Sequence, residues 1–340
     1  MTRNTIGAII GIALLAGAAS AQTLINGAGA TFPYPMYSKW FDSYHKKFPT
    51  IQFNYNSIGS GGGIQQVTAG TVDFGASDGP MNDTQIKDFK DKRGAEILHF
   101  PTVLGADVPV YNIPGVSSQL NFTPEALAGI FLGQIKKWND PAITGPNPGV
   151  KLPANDIVVV HRSEGSGTTY CWTDYLSKIS KEWETKVGRG TSVQWPVGLG
   201  GKGNEGVSGQ IKQQPNSMGY VELIYAVQSK MTYGKVKNAA GNFVNATLES
   251  VTEAAGSVKD MPDDFRVSIT NAPGKGAYPV ATFTWLLIPT KIADPVKKKA
   301  ITDFLHWMLT EGQTMTAALD YAPLPKPVIA KETKAIAKIN

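Results

Sequence analysis

Four branched apolar residues, Ile157-Val158-Val159-Val160, run directly into His161-Arg162-Ser163-Glu164-Gly165-Ser166-Gly167-Thr168-Thr169, and this junction constrains the chain more than any other stretch. The apolar run predicts a buried strand. Tyr170–Ile179 predicts the helix after it, with Cys171, Tyr175, Leu176 and Ile179 on one face. The turn between them combines free amides at a helix start, permissive glycines, hydroxyl donors and one guanidinium, a set suited to a tetrahedral oxyanion. No Lys-Ser or Lys-Thr follows the second glycine, so the turn is not a nucleotide P-loop. It reads as a site that holds an anion rather than one that transfers a phosphoryl group.

The amino terminus reads as a cleaved leader. Arg3 supplies the positive start, Ile6–Ala18 the apolar core and Ala19-Ser20-Ala21 the small-residue signal, with cleavage expected after Ala21. No later segment approaches about 18 uninterrupted apolar residues, the minimum for a membrane span. The remaining residues are enough for two lobes. Cys171 is the only cysteine, so no intrachain disulfide forms, and its distance from the leader excludes a lipid-bearing role. A small buried apolar residue is the reading it favours over a reactive thiol. Export without an anchor points to the periplasm of a double-membraned bacterium.

Charge excludes other classes. The net +5 is mild, and Lys46-Lys47, Lys136-Lys137 and Lys297-Lys298-Lys299 are dispersed, as on a solvated surface. No clustered basic and aromatic face for nucleic acid appears. His45, His99, His161 and His306 show no metal-ligand spacing, so no metal is expected and a metallohydrolase is disfavoured.

Strand-like and helix-like segments alternate, as in an α/β protein with mainly parallel sheets. Pro35–Phe48 predicts a helix carrying Met36, Tyr37, Trp40, Phe41, Tyr44 and Phe48 at helical spacing, and Ile301–Leu309 another. Strands are expected over Thr71–Ala76, Ile97–Phe100, Val108–Asn112, Ile157–Val160 and Phe283–Ile288. Breaker-containing stretches at Phe100–Gly105 and Asn271–Pro279 suggest two crossovers between lobes.

Three further segments share the logic of the Arg162 turn. Asn26-Gly27-Ala28-Gly29-Ala30-Thr31-Phe32-Pro33 is a glycine turn before the first amphipathic helix, with Thr31 expected as its N-cap. Alone it favours an ordinary capped helix; its functional reading points the Thr31 hydroxyl and the Phe32 amide at an anion. Ser57-Ile58-Gly59-Ser60-Gly61-Gly62-Gly63 opens a short helix ending near Gly70, its entrance bare enough for close approach to the backbone. A flexible loop is an equal reading. Asp78 ends the strand of Val72, Phe74 and Ala76, where open α/β sheets bind ligands, although a lone Asp there is more often a cap. Beside the Arg162 turn, Glu164 reads either as the arginine's partner or as a solvated acid, and His161 as an ordinary strand-end residue. Gly198-Leu199-Gly200-Gly201-Lys202-Gly203 fits a dinucleotide fingerprint with Glu222 downstream, but Pro196 makes its preceding segment a poor strand.

Taken together, Gly27–Pro33, Gly59-Ser60-Gly61-Gly62-Gly63, Val72–Asp78 and Arg162–Thr168 resemble the motifs of the periplasmic phosphate-binding proteins of bacterial phosphate ABC importers. Gly133–Pro141, Trp195–Asn204, Gly219–Glu222 and Leu319–Pro325 match in the same order. The resemblance implies a two-lobed periplasmic-binding-protein fold of type II character, with two crossovers and a cleft between lobes. Residues 22–102 with 275–340 would form lobe 1, residues 103–274 lobe 2, and residues 1–21 the leader. Carried over by motif, phosphate contacts fall to Thr31, Phe32 (backbone), Ser60, Asp78, Arg162, Ser166, Gly167 (backbone) and Thr168, with Glu164 behind Arg162. Family members often carry Asp where this chain has Glu164.

The resemblance further implies a monomer without cofactor or enzymatic activity, partnered by inner-membrane permease subunits. Phosphate retains a proton at neutral pH that an ionised Asp78 can accept, whereas sulfate has none; sulfate should be refused and arsenate should compete. A phosphatase-like relative of the same fold, with Ser166 or Thr168 as nucleophile, is the alternative, although only His161 is near in sequence as a base.

Overall fold

The structure, a computed structural model, describes residues 22–340, so the expected leader and its cleavage site lie outside the described residues. The strands are β1 (Thr23–Gly29), β2 (Ile51–Ser57), β3 (Phe74–Ser77), β4 (Ile97–Asn112), β5 (Asn121–Phe122), β6 (Val158–Arg162), β7 (Leu199–Gly201), β8 (Ser217–Glu222), β9 (Thr232–Tyr233), β10 (Lys235–Lys237), β11 (Phe243–Val244) and β12 (Ala281–Pro289). One long sheet runs β2-β1-β3-β12-β4-β8-β6-β7, with β9 also on β4, and a small sheet runs β11-β10-β5.

The sheet is mixed rather than mainly parallel. Its two wings are parallel, β2-β1-β3 and β8-β6-β7. Between them β12 and β4 run antiparallel to each other and to their outer neighbours. β4 is a single strand where two were expected. It pairs with β12 over Ile97–Ala106 and then with β8 over Asp107–Asn112, so one segment serves both wings. Pro101 does not break it because the register shifts there: Trp285 opposes Pro101 while Thr284 opposes Val103, leaving Thr102 as an extra residue. A bulge is where a strand tolerates a residue without an N–H.

Helices pack on each wing. The first, Tyr34–Lys47, buries Met36, Tyr37, Trp40, Phe41 and Tyr44 of the stripe its spacing predicts, while Phe48 falls just past its end and is exposed. Phe41 stacks on Phe53 at 5.0 Å, and Phe53 meets Phe304 at 4.6 Å, closing an aromatic core beneath β1 and β2. On the other wing Trp172 stacks on Tyr220 at 5.1 Å. Burying each such ring stabilises by roughly 1.5–3 kcal/mol. Thr31 is not the cap of the first helix. Pro33 holds that position without a side-chain hydrogen bond, and Thr31 is turned toward the opposite wing. None of the described helices is long and apolar enough to cross a membrane.

Candidate functional site

The parallel strands of both wings deliver their carboxyl ends to one place, where open α/β sheets gather their ligands. Thr31 and Phe32 follow β1, Ser60 follows β2, Asp78 follows β3, Arg162 ends β6, and Ser166, Gly167 and Thr168 open the helix Gly167–Ile179. The side chains of Thr31, Phe32, Ser60, Asp78, Arg162, Ser166 and Thr168 are each at most 3% exposed, and Gly167 is buried.

Their hydrogen bonds share a pattern. Thr31 Oγ1 accepts from Asn204 Nδ2 at 2.8 Å and from the Asn204 amide at 3.3 Å. Thr168 Oγ1 accepts from Arg162 Nη1 at 3.1 Å and from Asn204 Nδ2 at 3.3 Å. Ser60 Oγ accepts from the Asp78 amide at 3.2 Å, and Ser166 Oγ from the Thr169 amide at 3.0 Å. A hydroxyl has one proton and two lone pairs, so a hydroxyl that already accepts N–H bonds has its own proton left to give. Four hydroxyls are thereby set as donors around Arg162. The Phe32 carbonyl accepts from the Tyr321 hydroxyl, and Tyr225 Oη donates to the Thr31 carbonyl at 2.6 Å, fixing the loop after β1.

Asp78 is the acceptor in this ring of donors. Its Oδ1 accepts from Thr284 Oγ1 at 2.8 Å, while Oδ2 has no partner among the described residues and faces Gly167. Burial pushes its pKa up to about 7, against the opposing pull of Thr284, the Arg162 charge and Ser60. Arg162 is oriented from behind: Nε donates to Glu164 Oε1 at 2.9 Å, Nη2 donates to the same oxygen, and the Gly203 amide adds a third bond at 3.0 Å. Burial alone would raise the Glu164 pKa, but the bonds and charge of Arg162 hold it below the usual carboxylate range. The longer acid thus reaches the arginine and keeps its outward nitrogen, Nη1, on Thr168.

The glycine run 61–63 has a packing role as well. Gly61 N donates to Gly165 O at 2.9 Å, and a Cβ on Gly63 would lie 2.5 Å from Gly29 Cα. His161 stacks on Trp195 at 4.8 Å, and its Nδ1 lies 2.9 Å from its neighbour's carbonyl. Cys171 is buried, and its thiol pKa is pushed well up by burial, then by the nearby acid Asp107. Among the described residues no group of three His, Cys, Asp or Glu is arranged to hold a metal ion.

Two residues at the site escaped the sequence reading. Thr284 sits mid-strand in β12 and left no local signal. Asn204 closes the glycine segment Gly198–Gly203 set aside as a weak dinucleotide fit; no strand directly precedes that segment, the three-residue edge strand β7 lies within it, and it leads into the helix Gly203–Gln213.

The fold is that of a periplasmic-binding-protein-like domain, a mixed α/β sheet whose strand ends converge on a buried cluster of hydroxyls, Arg162 and Asp78. A family model described as a PBP superfamily domain matches residues 16–311. Two proteins named phosphate-binding protein PstS are close in sequence. That of Pasteurella multocida is 45% identical, covering 97% of this chain and 94% of its own length; that of Xylella fastidiosa is 46% identical, covering 92% and 84%. The chain belongs to this family. In fold it is similar to a high-affinity periplasmic phosphate-binding protein (PfluDING) solved with phosphate, at a TM-score of 0.73 and 21% identity over 91% of this chain and 93% of that one.

Proposed function

We propose that this chain binds inorganic phosphate in the periplasm and, as a monomer, delivers it to an inner-membrane ABC permease. The observation that carries the reading is the ring of four hydroxyls accepting from N–H groups, closed by Arg162 and by Asp78 Oδ2, an acceptor without a partner among the described residues. Each bond to the anion contributes about 1.5–3 kcal/mol before the ordering cost. Monohydrogen phosphate matches that ring: three oxygens accept, and its P–OH donates to Asp78. Sulfate sets two acceptors against each other and is refused, whereas arsenate keeps the proton and competes.

Uptake follows from closure of residues 22–102 with 275–340 onto residues 103–274, and the permease reads the closed form. These boundaries lie near the place where β4 changes partners, between Ala106 and Asp107. The phosphatase-like alternative has no base to draw on: Thr168 Oγ1 already accepts from Arg162 and Asn204, Ser166 Oγ caps its helix through the Thr169 amide, and His161 is stacked on Trp195.

The test is calorimetry on mature protein stripped of phosphate by unfolding and refolding, titrated with phosphate and then sulfate. At pH 8.5, one-to-one phosphate binding without sulfate heat is expected. Sulfate binding at pH 8.5, where Asp78 is ionised, would discard the proton argument, and binding of neither would discard the function.

A further inference from the structure

Asn204 is wholly buried at the junction of the two wings, and every polar atom of its side chain is used. Its Oδ1 accepts from the backbone amide of Glu222 at 3.0 Å. A peptide N–H only donates, so this bond decides which way the carboxamide faces and leaves the NH2 for the threonines. One bond runs to Thr31 Oγ1 after β1, the other to Thr168 Oγ1 in the helix Gly167–Ile179. With the Asn204 amide on Thr31 and Arg162 Nη1 on Thr168, each threonine oxygen accepts two N–H bonds. Both lone pairs are then occupied, and the only role left to either hydroxyl is to donate. Ser60 and Ser166 each accept one such bond and keep a lone pair.

We propose that Asn204 is a positioning residue for anion binding: it orients the Thr31 and Thr168 hydroxyls as obligatory donors and ties the two wings together through them. The inference rests on the phosphate-binding reading above and extends it to a residue outside the anion's own contacts. A hydroxyl free to rotate spends part of its time presenting a lone pair to an anionic oxygen. A hydroxyl with both lone pairs filled never does, so the carboxamide removes an ordering cost that binding would otherwise carry. An aspartate at the same place would keep the Glu222 amide satisfied but offer an acceptor to the threonines, drawing their protons away from the anion.

The test is a double-mutant cycle read by phosphate calorimetry, with circular dichroism and thermal unfolding of each ligand-free variant as a fold check. Asn204→Ala should weaken phosphate binding by roughly 10–100-fold. In a Thr31→Val background, where one of the two hydroxyls is gone, the same change should cost at least about threefold less. A packing role alone would give the same factor in both backgrounds, and that result overturns the proposal, as does an Asn204→Ala protein within about threefold of wild type. Should Asn204→Ala not fold, the isosteric Asn204→Asp decides: loss of phosphate binding with an unchanged thermal midpoint is expected, and wild-type affinity overturns the proposal. Wild-type protein that takes up no phosphate would instead overturn the function on which the inference rests.

Discussion

Gly167 meets Asp78 so closely that a methyl group on its Cα would lie 2.5 Å from the backbone nitrogen, Cβ and Oδ2 of the aspartate. The glycine opens the helix after β6 and the aspartate follows β3, so this contact joins the two parallel wings where their strand ends converge. No other residue at position 167 lets the helix start come so near Asp78. The closeness is steric in origin, since the glycine does not have a positive φ.

Gly167→Ala should therefore hold the wings apart. Phosphate affinity is expected to fall by about 100-fold or more, the loss of two or so bonds to a charged ligand. The thermal midpoint of the ligand-free protein should barely move, because neither wing's own core is touched. Calorimetry and thermal unfolding on the same sample check both halves, and an unchanged affinity refutes the contact.

Sulfate refusal should depend on pH. Asp78 is pushed up to about 7, so below that value it carries its own proton and can donate to sulfate. Sulfate affinity should be level under acid conditions and fall about tenfold per pH unit above 7. Asp78→Asn offers an amide donor at every pH and should bind sulfate without this slope. Competition titrations from pH 5.5 to 8.5 distinguish the two, and a flat wild-type profile would exclude Asp78 as the discriminating group.

Stability should also fall as the pH rises. Burial raises the pKa of Asp78 to about 7 and those of Asp107, Glu222 and Glu332 well above the carboxylate range. Asp107 and Glu222 stand opposite each other in the β4–β8 ladder, which adds to the effect. A group whose folded pKa is raised keeps a proton the unfolded chain has released, so its contribution is complete in acid and lost as the pH passes its folded value. Glu164 and Asp174, whose folded values are lowered, act only at more acidic pH. The ligand-free thermal midpoint should then decline from pH 5.5 to 8.5, and a rise over that window would contradict the buried protonated acids.

Cys171 should be inert in the native state. It is 1% exposed and its thiol is held neutral by burial. Thiol reagents at pH 8 should label it only after denaturation. Rapid stoichiometric labelling of folded protein would mean that the Gly167–Ile179 helix opens locally far more readily than its packing implies.

Much of this site is legible in local sequence because each of its loops is a local object. A strand's hydrophobic run, a glycine turn and a hydroxyl at a helix start sit within a dozen residues, and their chemistry is visible without knowing what lies across from them. The aromatic stripe of Tyr34–Lys47 is legible for the same reason, as periodicity is a property of the segment itself. The cap of that helix was misread because Thr31 is a good capping residue locally, yet its hydroxyl is claimed by Asn204, 173 positions away. β4 was read as two strands because Pro101 and Gly105 are local breakers, and the bulge opposite β12 that accommodates the proline is a property of the pair.

The sequence by itself determined the strand-to-helix turns, the buried faces and the kind of ligand these turns suit, since all of these follow from residues within one or two helical turns of each other. Tertiary structure alone decided which hydroxyls became pure donors, which oxygen of Asp78 was left without a partner, and that Thr284, 206 positions away, took the other. Those outcomes depend on which strand lies beside which, and strand order is chosen by the burial of the whole sheet rather than by any segment of it.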